Sequence, residues 1–254
     1  MKLRYFFIKF ITLCFPFCLL IFISALGFAG IKGTLHDLSV SGTGPIKATE
    51  ETQICIFCHT PHNATPAYPL WGHEVTNVEY YKHYTSDTLV SYTSEADAPR
   101  IDGISRLCLS CHDGTIALGA VSGDAGSIVS YCRMGYCFVT NEIKMTTRYM
   151  RSSAPGYLGT DLSGGHPISI TYDESLKIRR AELDPGLMQL KWPITDRDVK
   201  LYPTQGGYGV QCSSCHDPHG GKGGTGAPPF WRKPDYEDVC LVCHDIYDRT
   251  GHGL

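Results

Sequence analysis

The chain has 254 residues, with 22 basic and 25 acidic side chains, a formal net charge of −3, 27 glycines, 15 prolines and 12 cysteines. This balance argues against a nucleic-acid partner and against a basic patch that docks on membranes. Leu, Ile and Val are sparse after Gly30, whereas Gly, Pro, Ser, Thr and Tyr are plentiful, which argues against a conventional aliphatic core.

Residues 1–29 read as a secretory signal. Lys2, Arg4 and Lys9 make a positive start, and Phe10 to Phe28 is apolar and contains Cys14, Pro16 and Cys18. Gly27-Phe28-Ala29 then offers the small residues at which cleavage before Gly30 is expected. An uncleaved anchor is the competing reading, but the proline interruption and the small-residue exit favour removal. Without Lys2, Arg4 and Lys9 the balance is 19 basic against 25 acidic residues, a formal charge of −6. The expected destination is outside the cell or at its surface, with the periplasm as the alternative.

From Gly30 onward the chain spells Cys-x-x-Cys-His four times: Cys55/Cys58/His59, Cys108/Cys111/His112, Cys212/Cys215/His216 and Cys240/Cys243/His244. This pentapeptide attaches c-type haem. Its two thiols add to the two vinyl groups of one porphyrin, and the histidine binds the iron from one face. Four occurrences, using eight of twelve cysteines, exceed chance and imply four haem c groups. Each motif needs one helical turn to bring both thiols and the imidazole to one side. Residues 30–254 then allow roughly 56 residues per porphyrin, below the ~100–200 of an ordinary domain. The expected fold is therefore a multihaem cytochrome c with a haem-packed core, short helices, few strands and mostly irregular chain.

The motifs form two kinds in alternation. Cys55 and Cys212 open a longer phrase, Cys-x-x-Cys-His-x-Pro-His, which ends at His62 and His219. Cys108 and Cys240 open a phrase ending in Cys-His-Asp. This is a duplication in outline. It divides a single domain, 30–254, into two dihaem modules at about 33–123 and 156–254, joined by a haem-free segment from about Asp124 to Pro155. Pro61 and Pro218 are expected to end the turn of the first phrase. Pro193, Pro203, Pro228, Pro229 and the run Gly220-Gly221-Lys222-Gly223-Gly224 mark loops. Asp173 to Leu183 is expected to be a short helix and Leu70 to Val90 to be extended.

The second axial position of each iron decides the function. Histidine or methionine there closes the iron for electron transfer, and an open position admits a small molecule. His62 and His219 each follow their own proximal histidine by three residues, which span at most about 10 Å. That is too short to round a porphyrin edge, so each is expected to serve a neighbouring haem. The competing role is a turn histidine bonded to a propionate. His36 and His166 each lie upstream of the first phrase, once per module, and complete the expected distal set. His73 and His83 have no counterpart in the second module and read as propionate or packing partners. His252 is a substitute ligand, and Met134, Met145, Met150 and Met188 are not needed. Cys132 and Cys137 are followed by no histidine, so a disulfide closing a short loop is expected of them in an exported chain. A structural metal would need two further ligands.

Four bis-histidine haems leave no open iron, which implies an electron carrier of low potential and not an enzyme. The phrases His36-Asp37-Leu38-Ser39, Cys55 to Ala64, Pro69-Leu70-Trp71, His166-Pro167-Ile168-Ser169 and Cys212 to Gly220 resemble the secreted multihaem cytochromes that polymerise into extracellular nanowires, the tetrahaem OmcE type, within the broader doubled Cys-x-x-Cys-His family. The resemblance spans most of residues 30–254 except about Asp124 to Pro155. It implies a homopolymer with a continuous haem chain, in which one axial histidine comes from a neighbouring subunit. By its place near the start of the exported chain, His36 is the expected inter-subunit ligand. Other multihaem cytochromes and extracellular acceptors such as metal oxides are the further partners implied. A monomeric periplasmic tetrahaem shuttle is one alternative, and a multihaem reductase with one open haem is the other.

Overall fold

The computed structural model describes residues 30–62, 64, 70–121, 127–133, 136–183, 189–193, 196–221 and 229–245, with backbone only for those within 127–140. The signal segment, His252, Met134, Met188, Pro228 and Lys222 to Gly224 lie outside the described residues. Ile31–Leu254 forms one compact unit.

Regular structure is short and scattered. A 3-10 turn covers Cys55–Phe57, and α1 covers Gly103–His112. Strands β1 (Ser127–Arg133) and β2 (Tyr136–Glu142) form an antiparallel hairpin. Then follow β3 (Ile170–Thr171), α2 (Glu174–Leu183), β4 (Gln189–Leu190), β5 (Tyr202–Thr204) and β6 (Gly207–Val210). The one-turn helices α3 (Cys212–Cys215) and α4 (Tyr236–Cys240) and the strand β7 (His244–Asp245) complete the chain. Strands β3, β6 and β5 make a three-stranded sheet with β6 central, and β4 pairs with β7. Every haem motif thus begins in, ends on or contains a helical turn, as its stereochemistry demands.

Among the described residues, three small apolar clusters stand in place of a continuous core. One gathers Ala48, Phe57, Leu118, Ile143 and Met145; a second gathers Tyr92, Ile170, Tyr172, Leu176 and Val210; a third gathers Tyr81, Ile101 and Leu109. Each abuts a motif, since Cys111 packs on the first, Cys243 on the second, and Leu109 of α1 lies within the third. Together, few strands, short helices and much irregular chain are compatible with a multihaem cytochrome.

Two expectations about local structure are sharpened. The helix expected over Asp173 to Leu183 is α2, and Asp173 Oδ1 accepts from the Leu176 amide at 2.7 Å, capping its first turn. The Leu70 to Val90 stretch runs without a strand ladder and is held by isolated bridges, His73 to Val121 and Lys82 to Asp161. Its regularity is lost because its partners are single residues in loops, not a second strand.

The two motif-bearing parts of the chain are fastened by a buried polar lock. Gln211, just before α3, is 1% exposed. Its Oε1 accepts from the Ser105 amide at 2.9 Å, and its Nε2 donates to Asp102 Oδ1 at 2.9 Å. The Cys212 amide donates back to Ser105 Oγ at 3.0 Å. The first-turn amides of α1 would otherwise be unsatisfied, so a residue more than a hundred positions away caps this helix. Gln211→Ala strands the buried Ser105 amide and leaves the half-buried Asp102 Oδ1 without this donor, and is expected to cost about 1–3 kcal/mol, read as a lower midpoint in denaturant unfolding of the haem-loaded protein.

Candidate metal centres

The turn at Thr34 to Ser39 fixes the first upstream histidine. Asp37 is 1% exposed; its Oδ2 accepts from the Gly33 amide at 3.0 Å and its Oδ1 from Ser39 Oγ at 2.6 Å. This holds His36 with its Nδ1 donating to the Pro218 carbonyl at 3.2 Å, while Phe230 stacks on the ring at 4.7 Å. In the second module Asp161 plays the similar part, accepting at Oδ1 from Ser163, while Lys82 grips its Oδ2.

The structure brings histidines together in pairs. The rings of His59 and His219 lie 6.1 Å apart and nearly parallel, at 10°. Those of His36 and His112 lie 6.0 Å apart at 67°, and those of His166 and His244 lie 6.2 Å apart at 74°. Two imidazoles bound to opposite faces of one metal, with metal–nitrogen bonds of about 2 Å, put their ring centres roughly 6 Å apart. Each pair joins one histidine of a Cys-x-x-Cys-His motif to one outside any such motif.

The tautomers fit ligation as well. Nδ1 of His112 donates to the Gly156 carbonyl at 2.7 Å, that of His216 to Pro229 at 2.7 Å, and that of His166 to Pro167 at 2.8 Å. With Nδ1 protonated and held by a carbonyl, as in His36, Nε2 carries the free lone pair a metal needs. Burial lowers the pKa of His36 and of His216, and burial with the nearby His166, Arg180 and Lys191 brings His244 to about 4. All three are therefore neutral near pH 7, the ligating form.

The remaining histidines stand apart. His216 meets Trp231, stacked at 4.5 Å, and no second imidazole among the described residues. His62 is exposed, and its backbone carbonyl accepts from Thr60 Oγ1. His73 is buried, with Nδ1 donating to the Glu74 carbonyl at 2.7 Å and Nε2 3.6 Å from Cys111 Sγ. His83 is buried beside Tyr92. Met145 sits within the first apolar cluster.

The motif thiols are crowded. Burial first, then Cys111 and Cys55, pushes Cys58 up to about 12, although part of the residue is exposed at the surface. Burial also takes Cys111 and Cys215 to about 12 and Cys243 to about 11. Cys108 hydrogen-bonds Cys212, which raises Cys108 and lowers Cys212. The second motif's thiols thus neighbour the first and third, and Cys215 neighbours Cys240 and Cys243, so the attachment sites adjoin in chain order.

Orphaned polar atoms also fit a large ligand with carboxylate edges. Among the described residues Trp71 Nε1 is buried without an acceptor, and its ring stands edge-on to His59 at 6.3 Å. Trp71 and Trp231, each bridged to its proximal histidine, were missed from sequence. Their recurrence after each Cys-x-x-Cys-His-x-Pro-His phrase was the available signal. Backbone register sets Cys132 opposite Cys137 in the hairpin, the arrangement an antiparallel cross-strand disulfide requires.

The family described as Doubled CXXCH motif (Paired_CXXCH_1) matches residues 204–248, which hold the third and fourth motifs. With the donor set above, this match supports a haem-binding multihaem cytochrome of c type. No curated protein matches it.

Asp37 gives a test of how its turn positions His36. Burial raises its carboxyl, but bonds from Ser39 and Gly33 outweigh this and hold it below the ordinary value. Its stabilisation is therefore complete above the unfolded carboxyl's pKa, about 4, and is lost as pH falls through the lower folded value. Asp37→Asn is expected to cost about 1–3 kcal/mol at pH 7. That difference shrinks below pH ~4 in paired unfolding curves.

Proposed function

We propose that the chain holds four covalently attached c-type haems, each between two imidazoles, and passes electrons outside the cytoplasm as the subunit of a homopolymer. The three imidazole pairs with ring centres 6.0 to 6.2 Å apart carry the conduit reading. A haem held this way supplies a one-electron couple without an open coordination position. The eight motif cysteines anchor the porphyrins, and His59, His112, His216 and His244 face His219, His36, a fourth imidazole and His166 respectively. The carbonyls of Gly156, Pro167, Pro218 and Pro229 hold the ligands' tautomers and ring angles. Adjoining thiols in chain order keep neighbouring redox groups at contact range.

The fourth imidazole supports the polymer. His219, which ends the second long phrase, faces His59 of the first long phrase. By the duplication, His62 should face a histidine of the kind represented by His216, yet among the described residues His216 stacks only on Trp231 and His62 meets no second imidazole. A neighbouring copy satisfies both. This moves the inter-subunit role from His36, which lies 6.0 Å from His112 of its own chain and is tied to Pro218, to His62. Other multihaem cytochromes and extracellular acceptors are the expected partners at the polymer's ends.

Electron paramagnetic resonance and optical spectra should show only low-spin iron. His219→Ala should convert one iron in four to a high-spin, carbon-monoxide-binding form with haem content unchanged. His62→Ala should do the same and abolish filaments in negative-stain images. Carbon monoxide binding by the unsubstituted reduced protein would instead indicate a reductase. If His252→Ala opened an iron in particles of single-chain size, the shuttle reading would replace the polymer.

A further inference from the structure

The duplication lets the contact within one chain serve as a template for the contact between chains. The second module meets the first through a definable set of groups. The Pro218 carbonyl accepts from His36 Nδ1, Phe230 stacks on His36, His219 faces His59, and Cys212 bonds to Cys108. Leu70 and Phe230 correspond, because each precedes the tryptophan bridged to its proximal histidine and each has φ +61°. A left-handed conformation at two bulky residues is rare, so its recurrence marks one structural position used twice.

Repeat-mates of this set are uncovered. Phe230 is 7% exposed, but Leu70 is 53% exposed. Cys212 and Cys108 are half-buried against each other, while their mates Cys55 and Cys240 are exposed. His36 is half-buried under Phe230, whereas its mate His166 is exposed. Pro61, mate of the half-buried Pro218, is exposed as well, whereas His62 and its mate His219 are both exposed.

We infer that a second copy of this chain docks these first-module groups onto the second module, repeating the internal junction. Leu70 of the incoming copy covers His166, its Pro61 carbonyl faces the His166 ring, and its Cys55 turn lies against α4 at Cys240. The surfaces differ, so the contact is heterologous and leaves a fresh end after each addition. The inference rests on the homopolymer reading and adds its register.

A photoreactive benzoylphenylalanine at position 70 tests it in assembled material. The expected product is a cross-link between chains to the segment 160–168, found by peptide mass spectrometry. Leu70→Asp should keep haem content and unfolding midpoint, since aspartate tolerates positive φ better than leucine, yet lose filaments. Filaments whose cross-links fall elsewhere, or that survive Leu70→Asp, would overturn this register and leave the polymer standing. Wild-type particles of single-chain mass would overturn both.

Discussion

Two imidazoles that share one metal axis, as proposed for the three histidine pairs, are constrained in distance and direction, and much of this fold is consistent with serving that constraint. The paired histidines come from segments remote in sequence, such as His59 with His219 and His36 with His112. Loops deliver the partners outside the motifs, His36, His166 and His219, because a loop can be aimed by one carboxylate or one carbonyl. Asp37 does this for His36, and Asp161 braces the chain before His166. The apolar clusters are correspondingly small and lie against the motifs. A chain that must surround several porphyrins has little apolar surface to spare for packing against itself.

Much of the chemistry was legible in sequence because covalent attachment demands a fixed pentapeptide. The alternation of two motif kinds gave the duplication, and three-residue spacing excluded His62 and His219 from their own irons. Pairing was not legible. His36 lies near the start of the exported chain, which pointed outward, but the bonds of Asp37 and Pro218 turn it inward to His112. The extended stretch after Leu70 lacked a ladder because its pairing partners are isolated loop residues. The Ser127–Glu142 hairpin fell in the segment without haem motifs, where Cys132 and Cys137 pointed only to a closed loop.

Differences between the modules follow from what each repeat faces. Gln211 and Ser105 lock the internal junction through bonds that exclude water. Their repeat-mates are Ile54, half-buried, and Glu237, exposed. A permanent contact formed during folding tolerates a buried, fully bonded polar network, since no state has to expose it. A seam between copies is different, because each subunit must first exist with that surface wet. Charged Glu237 and Asp238 beside Cys240 keep such a surface soluble, at the cost of the polar lock. In the proposed polymer, metal ligation across the seam would supply the strength that the lock supplies inside the chain. The divergence of these positions, with the ligand-bearing phrases kept in both modules, is what selection for one closed junction and one reversible junction would produce.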